Sequence, residues 1–177
     1  LPFGTVGGIL ATPTIQVGGE YELSAKFFRT NLGVLRGLEY EHQLEYAVDG
    51  VRVHLTKLGG PADWAANLEN NTLIADEIEE RAKVRVTLTP GPHEITAVWL
   101  KKSDAVDPVR TTGPVRSSHD TRDPLGIPHL STFTVAGPLK TAGPGDMPSR
   151  RRIFTCTPGS GTEERCAKQI LSALVRR

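Results

Sequence analysis

Five histidines, His42, His54, His93, His119 and His129, are the first residues to weigh, because imidazole is the side chain that titrates near neutral pH and commonly binds metal. None stands at the i, i+4 or His-x-His spacing that puts two ligands on one ion. His42 and His119 rank above the other three because Glu41 and Asp120 lie beside them. Ser117, Ser118, His119 and Asp120 hold the letters of a hydrolytic triad. Nucleophile, base and orienter usually come from separate segments, however, and the chain has no Gly-x-Ser-x-Gly elbow. The run reads as a polar loop.

The segment from Arg29 to His42 is richer. Asn31, two arginines, Glu39, Tyr40, Glu41 and His42 fall in a connection broken by Gly33 and Gly37. Planar polar groups beside an aromatic face grip sugars, and carboxylates in a loop offer oxygen ligands to calcium. On this reading Asn31, Arg36, Glu39 and His42 hydrogen-bond sugar hydroxyls, and Tyr40 or Trp64 stacks on a ring. Glu39, Asp120 and Asp123 are the candidate calcium ligands. The structural alternative pairs Arg36 with Glu39 and packs Tyr40 inside. Trp99 alternates inward with Ile95 and Ala97 and belongs to a core, whereas Trp64 follows Asp63 in a loop and is the better stacking residue. A competing enzyme reading, a hydrolase or metal-dependent enzyme acting on plant polymers, would assemble His42, His119, Asp120 and Asp123. It needs the Ser103–Pro128 stretch to fold back over the segment from Arg36 to His42. The Gly4–Gly8 run lacks the Lys-Ser/Thr of a phosphate loop.

These residues need a scaffold, and the chain spells one in strands. A strand from Gly7 to Ile15 is expected to end at a Gly18-Gly19 turn. Tyr21, Leu23, Ala25 and Phe27 then alternate with Glu22, Ser24 and Lys26, the period of a half-buried strand. Leu44, Tyr46 and Val48 run into Asp49-Gly50, and Val51, Val53 and Leu55 return, which makes a hairpin. Ala62 to Asn71 reads as a short helical loop, and Ile74 to Glu80 is ambiguous. Val84–Leu88, Ile95–Trp99 and Thr132–Val135 complete the strands. Short strands between Gly/Pro turns predict an all-β, jelly-roll-like β-sandwich with a C-terminal linker and one short helix. The expected divisions are 1–138 for the sandwich, 139–161 for a Gly/Pro/Arg linker, and 162–177 for the start of a helix belonging to the next domain.

At 177 residues the chain is long enough for one well-filled core. Its 21 Lys+Arg against 20 Asp+Glu leave no broad basic field for nucleic acid. The cluster Arg150-Arg151-Arg152 reads as a solvated linker. No apolar run approaches the ~20 residues of a membrane span. Leu1 is not a start Met, and Arg176-Arg177 falls inside an apparent helix, so the chain is expected to be a segment of a larger protein. Cys156 and Cys166 fit neither a zinc nor a haem spacing; a local disulfide and two thiols both remain open.

Several runs together carry a resemblance. They are Leu1–Gly8, Gly19-Glu20-Tyr21-Glu22, Arg29–Gly33, Arg36–Tyr40, Gly126-Ile127-Pro128-His129, Gly143-Pro144-Gly145-Asp146 and Ser149–Phe154 with Cys156 and Cys166-Ala167. This combination resembles, over essentially the whole chain, a segment of large multidomain proteins of planctomycetes, acidobacteria and related soil bacteria that also carry a c-type cytochrome domain. It departs from them at Glu41, where similar sequences carry Pro. The resemblance implies a β-sandwich similar to calcium-dependent, xylan-binding carbohydrate modules, with polysaccharide of the xylan or β-glucan class and neighbouring domains of the parent chain as partners. It implies haem in a neighbour and none here, since Cys-x-x-Cys-His is missing. It also implies a periplasmic or extracellular bacterial setting, which favours a Cys156–Cys166 bridge. A structural spacer within the parent protein is the remaining alternative.

Overall fold

The computed structural model describes residues 1–101, 122, 124–145 and 148–175. Along them run β1 (Thr5–Ala11), β2 (Thr14–Ile15), β3 (Val17–Phe27), β4 (His42–Val48), β5 (Val51–Leu58), α1 (Pro61–Glu69), α2 (Asn71–Arg81), β6 (Val84–Leu88), β7 (Gly91–Pro92), β8 (Ile95–Leu100), β9 (Leu130–Pro144), α3 (Pro148–Ile153) and α4 (Glu163–Val175). One sheet has the order β1-β8-β4-β5 and the other β6-β3-β9, with β2 and β7 paired as a small ribbon. Every strand pairing among the described residues is antiparallel. The expected antiparallel β-sandwich is what the chain forms.

Side-chain alternation drives the two layers together. On β3, Tyr21, Leu23, Ala25 and Phe27 point into the core while Glu22, Ser24 and Lys26 point away. They meet Leu44 and Tyr46 of β4 and Ile95, Ala97 and Trp99 of β8. Two aromatic contacts join the layers: Phe27 to Trp99 at 5.8 Å and Tyr46 to Phe133 at 5.1 Å between ring centroids. Burying Leu23, Leu44 or Ile95 contributes about 1.5–3 kcal/mol each. The β4–β5 hairpin turns at Asp49 and Gly50, which both take positive φ, 51° and 78°, as a tight turn of that type requires.

Three features differ from the sequence reading. Gly18-Gly19 is no turn: both glycines lie within β3, where a Cβ on Gly19 would stand 2.1 Å from the Lys140 carbonyl oxygen. They are strand glycines that admit close backbone approach. Second, β9 continues through the Gly/Pro stretch, with Val17 opposite Pro144, so pairing passes the division expected at residue 138. Third, two full helices replace the short helical loop and the ambiguous stretch. Asn70 caps α2 by accepting the Leu73 amide at 3.0 Å. Ile74, Ala75 and Ile78 then pack α2 on the sandwich core. The Tyr46 hydroxyl donates to the Ala82 carbonyl at 2.8 Å, and burial raises its pKa.

Cys156 and Cys166 form a disulfide that links the end of α3 to α4. Cys166 is the buried residue of α4 and lies outside the sandwich core. Among the described residues no helix is long and apolar enough to cross a membrane.

Candidate functional site

The connection between β3 and β4 closes one end of the sandwich. Leu35 and Leu38 are fully buried and pin it from within. Thr30 folds its tip: Gly33 N–H donates to the Thr30 carbonyl at 2.9 Å, and Val34 N–H to the Thr30 hydroxyl at 3.2 Å. Gly37 N–H reaches the Pro124 carbonyl at 2.8 Å, and Gly60 N–H reaches Leu38 at 2.9 Å. Gly59 passes under Tyr40 so closely that a Cβ there would stand 2.1 Å from the Tyr40 carbonyl oxygen. Arg29 is tied to α2 through Asp76 at 2.7 Å and Glu79 at 3.1 Å.

This packing sorts the residues expected to grip a ligand. Asn31 is exposed at the loop tip. Arg36 is completely buried, its guanidinium 5.5 Å from the Phe28 ring centroid. That burial removes it from the set that could reach sugar hydroxyls and gives it the structural role that was the alternative for this residue. Glu39 accepts the Gly126 amide at 2.7 Å through Oε1. Tyr40 is half-buried. His42 Nε2 lies 2.9 Å from the Gly37 carbonyl, and its ring meets Trp99 edge-on at 6.2 Å. Trp64 sits on α1, half-buried against the core, rather than exposed in a loop. His119, Asp120 and Asp123 lie outside the described residues, so of the hydrolase constellation only His42 is placed.

Of the expected calcium ligands, Glu39 is the one described. Its Oε2 is buried and has no hydrogen-bond partner among the described residues, an acceptor of the kind a hard cation takes. Among the described residues, no three His, Cys, Asp or Glu side chains come together around a common point.

Beside this end lies a cleft of about 230 Å³. Val6, Gly7, Gly8 and Ile9 of β1 form one wall, Ile127 to Leu130 form the other, and Trp99 completes the lining. Gly7 pairs with Trp99 across β1 and β8, next to a register shift between Thr5 and Gly7. Gly8 takes φ +153°, and a Cβ there would stand 2.3 Å from the Ala97 carbonyl oxygen, so only glycine lets β1 approach β8 this closely. Trp99 touches His42 on one side, while His129 meets Phe28 at 6.4 Å and Phe28 covers Arg36. The β3–β4 connection therefore reaches the cleft through two ring contacts. Rings on one side and the backbone of an edge strand on another can hold both the apolar face and the hydroxyls of a small polar ligand.

Gly7, Gly8 and His129 were not among the expected site residues; Trp99 is the core residue it was expected to be, 4% exposed, and also borders the cleft. The signal for the first two was in the sequence: paired glycines inside an apolar strand mark close approach of a neighbour or ligand.

No family model and no curated protein matches the chain. Among solved structures, it is similar to a family 35 carbohydrate binding module from an environmental isolate, with TM-score 0.41, 12% identity, and coverage of 82% of this chain and 74% of that one. It is also similar to CBM35 from Paenibacillus barcinonensis, with TM-score 0.37, 11% identity and coverage of 76% and 73%. A cycloisomaltooligosaccharide glucanotransferase of Paenibacillus sp. shares a smaller part, with TM-score 0.29, 18% identity, 53% of this chain and 12% of that one.

Proposed function

We propose that the chain is a non-catalytic carbohydrate-binding module that holds a polysaccharide of the xylan or β-glucan class in the cleft between β1 and Ile127–Leu130. The observation that carries this reading is the cleft itself: Trp99 and His129 in its lining, an edge strand stripped of side chains at Gly7 and Gly8, and His42 bracing Trp99. Tyr40 and Asn31, in the β3–β4 connection, would add outlying polar contacts. The resemblance carried by the sequence motifs points the same way. The module belongs to a larger bacterial protein acting in the periplasm or outside the cell. The Cys156–Cys166 disulfide supports that compartment, since such bonds persist where the surroundings are oxidising.

Calcium has a place in this reading. Glu39, through its buried Oε2, would hold the ion. Because Glu39 is bonded to Gly126, next to the cleft wall, the ion would brace that wall and need not touch the sugar.

Calorimetric titration with soluble xylan and β-glucan, in calcium and again with chelator, tests the proposal. Binding in calcium is expected, weakened by chelator if Glu39 holds an ion. Absence of heat with either glycan in either buffer would favour a structural spacer instead.

A further inference from the structure

Two helical pairs of this chain carry opposite charge. Residues 61–81, which form α1 and α2, hold six acids and one arginine. Residues 148–175, which form α3 and α4, hold five basic side chains and two acids. Part of the acidic charge is met locally: Arg29 binds Asp76 and Glu79, Arg81 binds Asp63, and Lys83 binds Glu80. Glu77 is exposed on α2 and keeps its charge for an outside partner. On the basic side, Lys168 reaches Glu164 at 2.7 Å, and Arg150 stacks on the Phe154 ring at 4.4 Å. Stacking engages only the flat face of a guanidinium and leaves its in-plane donors outward.

Apolar side chains run beside the charges on both surfaces. On α2, Ile74, Ala75 and Ile78 face the core. Leu73, Glu77 and Glu80, spaced i, i+4 and i+7, share the opposite face, and Leu73 is 56% exposed. On α4, Lys168, Leu171 and Val175, spaced i, i+3 and i+7, also share a face, with Leu171 61% and Val175 86% exposed. One helix thus shows a solvated leucine beside carboxylates, and the other shows solvated leucine and valine beside an ammonium. Their apolar stripes can pack while their charges attract, which fixes partner and orientation. Both stripes stay exposed within one chain, so neither covers the other there.

We propose that the α3–α4 hairpin of one copy docks on α2 of a second copy, with Leu171 and Val175 against Leu73 and Lys168 against Glu77. Each copy carries both surfaces, so the contact repeats reciprocally and closes a two-fold dimer. The interface is small and charged, and a Kd on the order of 10–100 µM at low salt is expected. The dimer stands independently of the glycan reading.

Sedimentation velocity of the whole chain, from about 1 to about 300 µM, tests this at about 0.01 M and about 1 M salt, where the Debye length is ~30 Å and ~3 Å. A monomer–dimer equilibrium is expected at low salt, weakened about tenfold at high salt. Glu77→Lys and Lys168→Glu are each expected to weaken low-salt association about tenfold. An equimolar mixture of these two variants should return to within about threefold of the native chain, because each substituted side chain then meets its opposite charge. Both positions are exposed, and unchanged circular dichroism keeps folding apart from association. A chain that stays monomeric throughout would overturn the proposal, as would a dimer indifferent to salt and to both variants. Failure of the mixture to recover would overturn the pairing of Lys168 with Glu77. Cosedimentation of a monomeric chain with vesicles containing phosphatidylglycerol would assign the hairpin face to an anionic lipid surface instead.

Discussion

His93 clamps the tip of the β4–β5 hairpin: its Nδ1 lies 2.6 Å from Asp49 Oδ2, and its Nε2 lies 2.8 Å from the Thr89 carbonyl. Both ring nitrogens thus face acceptors, a pattern that only the doubly protonated ring satisfies. Asp49 also accepts the Glu94 amide at 2.8 Å. The clamp joins the turn of one sheet to the turn before β8, beside the Asp49 amide, which donates to the Glu94 carbonyl at 2.7 Å.

That geometry predicts a pH dependence. Burial works to lower the pKa of His93, but the hydrogen bonds to Asp49 and Thr89 outweigh it, and the net shift is upward. The Glu94 amide first, and His93 second, hold Asp49 below the usual carboxylate range. Stability from His93 is complete below the ordinary histidine pKa and is lost as pH rises through the raised value. Stability from Asp49 is present above the ordinary carboxylate pKa and is lost as pH falls through the lowered value. His93→Gln is therefore expected to lower Tm by about 2–4 °C near pH 6 and by less near pH 9. Thermal unfolding across pH checks this, and equal losses at both ends would contradict it.

Arg36 and Asn31 were equals in the sequence and are opposites in the fold. Truncating the buried Arg36 to Ala is expected to cost on the order of 3 kcal/mol, because it removes packing against Phe28 and strands the groups that surround the guanidinium. Asn31→Ala, at an exposed tip, should change stability by less than about 0.5 kcal/mol. Urea unfolding of the two variants separates them.

Gly8→Ala places a methyl group against the Ala97 carbonyl in a backbone region that side chains avoid. The expected cost is about 2 kcal/mol or more, with loosening of β1 from β8. Tryptophan emission reports it, since Trp99 sits opposite Gly7 and should become more solvated.

Reduction of Cys156–Cys166 is expected to act locally. The bond joins α3 to α4, and neither helix contributes to the sandwich core. Reducing agent should diminish helical circular dichroism while the main unfolding transition shifts by less than about 2 °C. A large fall in that transition would show that the stapled helices support the sandwich.

Much of the scaffold was legible because its signals are local. The alternation from Tyr21 to Phe27 and the Asp49-Gly50 turn depend on neighbours a few residues away, and both appear where the pattern put them. Elements that depend on distant partners were not. Gly18-Gly19 looks like a turn until Lys140 and Pro90 are known to press on it. The stretch from Thr141 to Pro144 looks like a linker until Val17 and Gly18 supply its hydrogen bonds. α2 has a polar sequence whose few apolar residues, Ile74, Ala75 and Ile78, suffice only because the core is already there. The candidate site was the least legible part. Arg36 was weighed as a sugar contact or a structural partner of Glu39, and nothing in its own sequence neighbourhood foretells Phe28 and complete burial. The cleft is assembled from β1, β8 and Ile127–Leu130, segments far apart in the chain that no spacing motif connects.

The most direct test of the account is a titration of ¹⁵N-labelled protein with a neutral xylo-oligosaccharide, followed by NMR at the two indole N–H signals and the glycine amides. Trp99, Gly7 and Gly8 are expected to move together while Trp64 stays in place. Movement confined to Trp64 and the Asn31–Gly33 tip would contradict the cleft as the binding site, and a spectrum unchanged at saturating sugar would contradict glycan binding altogether.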